Sequence, residues 1–319
     1  MWVKLAAIGA GAITLLGCVS GVSASASMPT KAVPAATPSA ARPCLDHAVP
    51  RRYTHVIWIF MENHSFSTII GSKQAPFINS MAGKCGLATN YHNITHPSLP
   101  NYIAATSGAG LPTLARFVSD CNPAGSCLTS APSIFGQGES WRSYEESMPG
   151  TCHNANAGEY AVRHNPAAYY TTLKGCGKFD VPFGRLAGDL SHNRLPAFSF
   201  ITPNLIDDMH DGTVPDGNKW LSANLPTILN SREYRSGSTV VFITWDEGEG
   251  GTSTRCATNT TDVGCRVAAI VISPSTKAGT KSKTLFNHYS LLGTAEQLLG
   301  LHKLNMANKF PTMVNAFRL

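Results

Sequence analysis

Charge is scarce in this chain. Only 14% of its 319 residues are Asp, Glu, Lys or Arg while 43% are hydrophobic, a balance that excludes an intrinsically disordered protein. No run of five or more Lys or Arg occurs. The net charge of +6 is therefore spread over a slightly basic, solvated surface. Such a surface suits phosphate-bearing ligands, and nothing in it points to nucleic acid. No two cysteines stand three residues apart, which removes a zinc ribbon. No apolar run is long enough for a bilayer span; the N-terminal one, Leu5 to Gly17, is about 13 residues. Internal repeats are also missing. The length allows a large core, as one big domain or two small ones.

The N-terminus carries an export signal. Lys4 precedes the apolar Leu5–Gly17 run, and Ala24-Ser25-Ala26 then offers a small-x-small cleavage site, so residues 1–26 read as a secretory signal peptide. Inside it, Leu15-Leu16-Gly17-Cys18 resembles a lipobox, which makes Cys18 a candidate lipid anchor. Either way the mature chain is secreted or held at the cell surface. Residues 27–43 are rich in Pro, Ala and Ser and contain no aromatic residue, the composition of a disordered tether; the folded domain is expected over 44–319. Setting Cys18 aside leaves eight cysteines, and an even number in an exported chain favours disulfides. Short separations favour Cys121–Cys127 and Cys256–Cys265, with Cys152–Cys176 and Cys44–Cys85 following by elimination.

Four near-continuous apolar runs, Tyr53–Phe60, Ala197–Ile201, Thr239–Trp245 and Val267–Ser273, read as parallel strands covered on both faces. Pro97–Ser107 and Tyr289–Leu301 read as helices, the second with a leucine stripe at helical spacing. Three of the strands run into polar residues: Glu62-Asn63 after the first, Asn204 and Asp207-Asp208-Met209-His210 after the second, Asp246-Glu247 after the third. Ligands of open parallel sheets bind at the carboxyl ends of the strands. Residues 109–195 are loop-rich and hold four cysteines, an insertion suited to walling a pocket.

Ser98 in His96-Pro97-Ser98-Leu99-Pro100-Asn101-Tyr102 lies just before a helix, where free N–H groups attract an anion. Its hydroxyl needs a base or a metal to act as a nucleophile, and its bland role is helix N-cap. Glu62, Asn63, Asp246 and Glu247 offer hard oxygen ligands for one divalent cation, Mg, Ca, Mn or Zn. His210 and His288 can protonate a leaving oxygen or fill a second metal position. His55, His153, His164, His192 and His302 carry no motif and are read as structural.

In order, Glu62-Asn63-His64-Ser65-Phe66, the stretch Thr95 to Gly108, Met209-His210-Asp211-Gly212, Thr244-Trp245-Asp246-Glu247-Gly248 and His288-Tyr289-Ser290 resemble the phosphoesterase family of the alkaline-phosphatase-like superfamily, with its bacterial acid phosphatases and phospholipases C. The resemblance spans residues 53–300. It implies an α/β fold, a three-layer α/β/α sandwich on a mainly parallel sheet. It implies Ser98 as a nucleophile forming a phosphoseryl intermediate, with Asn101 donating to a phosphate oxygen. Glu62, Asn63, Ser98, Asp246 and Glu247 would hold the metal, and His210 and His288 would serve the leaving group. Two-metal relatives place Asp and His after the third strand and Asp after the proline. Asp246-Glu247 and Asn204 stand there instead, so one metal is expected, with His96, Asn204, Asp207 and Asp208 as its surroundings or a second site.

The substrate implied is a phosphate ester, a monoester first, with phosphoinositide and phospholipid among the candidates. Two rivals remain open: a phospholipase C-type diesterase, and an inactive surface protein binding anionic lipid. A sulfatase would need Arg where Tyr102 stands.

Overall fold

The computed structural model describes residues 36–319. The expected signal segment, Cys18 and the expected tether up to residue 35 lie outside the described residues. The strands are β1 (His55–Met61), β2 (Gly86–His92), β3 (Trp141–Glu145), β4 (Asp180–Pro182), β5 (Phe198–Thr202), β6 (Thr239–Trp245), β7 (Arg266–Ile272), β8 (Thr280–Ser282) and β9 (Phe286–Asn287). They form one sheet in the order β4-β3-β5-β1-β6-β7-β2-β8, with β9 paired to β2. β1 sits at the centre, parallel to β5 on one side and to β6 on the other.

Successive strand residues point to opposite faces, and β1 shows what covers each. Phe60 packs its ring on Tyr102, in the helix Ser98–Ser107, and near His288, which opens the helix His288–Leu299. Next to it, Met61 reaches towards Gly217 of the helix Val214–Leu229 on the other face. Helices therefore flank both faces of the sheet, which makes the three layers. On the Phe60 face an aromatic cluster fills the core: Trp58 meets Phe198 edge-on at 4.8 Å and Phe60 stacks on Phe200 at 5.0 Å. Truncating one of these rings to Ala would cost about 3–5 kcal/mol.

One strand departs from expectation. β7 runs antiparallel to both β6 and β2. Its continuous apolar run reports burial on both faces and says nothing about direction. Between β6 and β7 the 246–265 segment contains no α-helix, and without a helical crossover the chain re-enters from the same edge and runs back.

Residues 109–195 do more than wall a pocket. They supply β3 and β4, which extend the sheet beyond β5. The end of the supposed tether is also docked: Ala40 N donates to Asn230 Oδ1 at 3.0 Å, Tyr234 Oη donates to the Pro43 carbonyl, and Pro38 and Pro43 are buried. The disulfides are Cys44–Cys85, Cys121–Cys127, Cys152–Cys176 and Cys256–Cys265, the pairing expected. Among the described residues no helix is long and apolar enough to cross a membrane.

Candidate active site

The ends of β1, β5 and β6 are tied together by backbone bonds. Glu62 N donates to the Asp208 carbonyl at 2.8 Å, and Asp246 N to the Met61 carbonyl at 2.9 Å. Asn63 then turns with φ +46°, a left-handed conformation that Asn tolerates better than most residues. Its amide N–H donates to Asp246 Oδ1 at 3.2 Å. Ser98 arrives from the opposite side as the first residue of its helix, with Pro97 at the cap position. The N-cap role is not what its hydroxyl plays. Ser98 Oγ donates to Glu62 Oε2 at 3.0 Å and approaches Asn63 Oδ1 at 3.4 Å. Glu247 completes the group, held by His96 Nδ1 at 2.8 Å.

Four carboxylates share this place. Burial raises Glu62, Asp208 and Asp246 well above the ordinary carboxylate range. The charge of Asp246 and then Asp208 pushes Glu62 further, and that of Glu247 pushes Asp246. Burial raises Glu247 as well, against the pull of His96. Such a cluster asks for a cation. One detail fits one: Asp246 Oδ2 is buried without a hydrogen-bond partner. A divalent ion held by Glu62, Asn63, Ser98, Asp246 and Glu247 would satisfy it.

The remaining candidates divide. Asp208 is fully buried and joins the site through its Oδ2, 3.1 Å from His164 Nδ1. His210 stands at the rim, with Nδ1 2.7 Å from Asp211 Oδ1 and Nε2 3.1 Å from Arg163. Asn101 lies beside Ser98, but its amide is already engaged: Oδ1 accepts from Ile94 N and Thr95 N, and Nδ2 donates to the Thr95 and Pro97 carbonyls. His288 sits beneath Asp246 with Nε2 2.6 Å from the Asp246 carbonyl and Nδ1 2.9 Å from Tyr91 Oη; burial lowers it to about 4. Asn204 and Asp207 belong to the turn after β5. Asn204 Oδ1 caps the N–H groups of Ile206 and Asp207, and its own N–H goes to Glu146.

Three residues of the site were not legible in the sequence, all from the 109–195 segment. His164 is buried, stacks on Tyr102 and places Nε2 3.4 Å from Glu62 Oε1. Burial holds it well below its usual pKa, and its Nδ1 lies 3.1 Å from Asp208 Oδ2. Glu62, His164 and His210 thus form a second group with metal-ligating atoms close together. Arg163 brings a cation to the same rim. Asp120 accepts from the Leu99 N–H at 2.9 Å, so that first-turn amide is not free for an anion. No local pattern in Arg163-His164-Asn165-Pro166 marks these residues; only the fold brings them here.

Residues 72–302 match the model of the Phosphoesterase family. The chain belongs to that family. It is 31% identical over 265 residues to a phosphatidylinositol-3-phosphatase of Mycobacterium tuberculosis, covering 82% of each chain. It is 28% identical to a probable acid phosphatase of Kluyveromyces lactis over 75% of this chain and 56% of that one, so the chain spans little more than half of that fungal relative. Among solved structures, a protein in the alkaline phosphatase superfamily from Vibrio parahaemolyticus superposes with a TM-score of 0.52 at 12% identity, over 85% of this chain and 72% of that one; that likeness establishes the fold. The chain is a hydrolase of phosphate esters.

Proposed function

We propose that this phosphoesterase is an exported, divalent-cation-dependent phosphomonoesterase that works through a Ser98 phosphoenzyme. The observation that carries the reading is the placement of Ser98 Oγ: a hydroxyl 2% exposed, aimed at Glu62 and Asn63 and away from its own helix. Ser98 Oγ attacks phosphorus while its proton passes to Glu62, whose Oε2 lies 3.0 Å away. The ester oxygen departs on the far side and takes a proton from His210. Water then attacks the phosphoserine and gives one proton to His210, while Glu62 returns its proton to the Ser98 oxygen as phosphate leaves. The cation, when bound, lowers the hydroxyl pKa and offsets charge on the transferring group.

In this reading Asn101 holds the 94–97 turn that aims Ser98, and His288 supports the Asp246 backbone. His164 relays between Glu62 and Asp208, and Arg163 with His210 receives the phosphate. Four disulfides fit an oxidising compartment outside the cytoplasm. Monoesters are favoured because the relatives named above are both phosphatases by name. The test compares turnover of a chromogenic monoester with that of the matching diester. A ratio well above one supports the reading, and preference for the diester moves the assignment to a phosphodiesterase.

A further inference from the structure

At the β4 edge of the sheet lies a basic pocket of about 660 Å³, lined among others by Arg142, Thr151, Lys178, Phe179, Pro182 and Arg185. That volume is in the usual range of ligand sites. Its place follows from the fold. β3 and β4 are two and three strands away from β1, whose end carries Glu62. Trp141 packs on Phe135, within the aromatic cluster on the Ser98 side of the sheet. Arg142, the next residue of β3, therefore points to the other face. The pocket is separate from the carboxylate site.

Three cations line this pocket and no Asp or Glu does. One carboxylate stands behind them. Asp189 is fully buried, and its Oδ2 accepts from Arg142 Nη1 at 2.7 Å and from Tyr144 Oη at 3.0 Å. Its Oδ1 makes no hydrogen bond, and the Nε atoms of Arg185 and Arg194 stop 3.9 and 3.8 Å from it. One buried negative charge thus faces three guanidinium groups and engages a single one closely. Arg142 is also pinned by its Nε to the Lys178 carbonyl and by Nη1 to the Arg194 carbonyl. Its Nη2 makes no hydrogen bond among the described residues, which leaves two N–H groups for a ligand. The wall that carries Lys178 is held by Cys152–Cys176, by Cys152 N donating to the Asp180 carbonyl at 3.1 Å, and by Lys178 N donating to the Gly175 carbonyl at 3.0 Å. Cations fixed in this way lose little freedom when an anion binds.

We infer that this pocket is a second anion site, which takes a phosphate group away from the reaction centre. With Arg142 set against Asp189, Lys178 and Arg185 remain uncompensated, and their two charges match a phosphate dianion. The Arg142 guanidinium adds donors in a planar fork suited to phosphate oxygens. The group is either free phosphate or the end of a larger molecule whose body covers Phe179 and Pro182; its chemistry at the cations is the same. The inference goes beyond the Ser98 reading and does not depend on it.

Phosphate, phenylphosphonate and acetate would be titrated by calorimetry into the mature chain, stripped of divalent cations and desalted, at about pH 8 and low ionic strength. Without a cation the carboxylate cluster disfavours phosphate at Ser98, so the titration reads the second site. The variants are Lys178→Gln and Arg185→Gln, both at exposed positions, singly and together. Wild type should bind one phosphate per chain and no acetate. Each single variant should weaken phosphate about tenfold, and the double variant should abolish binding while keeping Tm and the monoester turnover of the cation-loaded chain. Tighter binding of phenylphosphonate than of phosphate assigns the site to a group on a larger molecule, and equal binding assigns it to free phosphate; both uphold the site. No phosphate binding in wild type overturns the inference, as does equal binding in wild type and the double variant. Acetate binding as tightly as phosphate overturns the dianion assignment, and loss of turnover in the double variant at unchanged Tm overturns the separation from the reaction centre.

Discussion

Removing divalent cations should destabilise this protein measurably, and the acidic cluster sets the size of the effect. Glu62, Asp208, Asp246 and Glu247 are all under 10% exposed, and burial raises the pKa of each. A cation that binds the folded state alone, at a hundred times its dissociation constant, adds about 2.7 kcal/mol. For a domain of this size each kcal/mol shifts Tm by roughly 2–4 °C, so loading should raise Tm by about 5–10 °C. The assay is differential scanning fluorimetry of chelated protein, back-titrated separately with Mg, Ca, Mn and Zn. Asp246→Asn removes one ligand charge and also one source of repulsion. That variant should respond little to any cation and, in chelator, should melt no lower than wild type. A wild-type Tm indifferent to all four ions would refute the reasoning, as would an equal response in Asp246→Asn.

Two further outcomes follow from the 109–195 segment. His164→Asn retains a group at the Nδ1 position facing Asp208 but removes Nε2 from Glu62; kcat should fall about 10- to 100-fold with Tm nearly unchanged, and steady-state kinetics beside a melting curve checks both. Asp180, which accepts from Asn165 at 2.9 Å, is pushed up to about 7 by burial. The folded state therefore keeps a proton that the unfolded chain has released above about pH 4. Stability should fall as pH rises from about 4 to 7, by at most roughly 4 kcal/mol, and then level off. Asp180→Asn should flatten that fall in urea unfolding measured across the window, and an unchanged slope would count against it.

The central strands were legible because burial on both faces writes itself as unbroken apolar sequence. Thr239–Trp245 has the bounds read from the sequence, and the starts of β1 and β5 differ by only one or two residues. The acids following them were legible for the same reason: a charged residue directly after such a run marks a strand end. Strand direction was not, as β7 illustrates, because the apolar run is the same whichever way the chain crosses the sheet. β2 also escaped notice. Its Thr89 and Asn90 lie where the register with β7 shifts, and these polar residues break the apolar pattern. His164, Arg163 and Asp120 were hidden more deeply. They sit in short helical turns and loops that carry no periodicity, and their roles depend on long-range contacts with Glu62, Asp208 and Leu99. Asn101 was read as the donor to a phosphate oxygen, because its four bonds to the 94–97 turn could not be counted from the sequence.

The most direct test of the account is turnover of a chromogenic phosphomonoester by the mature chain, with wild type and Ser98→Ala loaded with cation and matched for Tm. Wild type should turn over, and Ser98→Ala should lose more than about a thousandfold in kcat, as nucleophile replacements do. A variant that keeps activity within tenfold of wild type would contradict the account, because the buried hydroxyl facing Glu62 would then not be the group that attacks phosphorus.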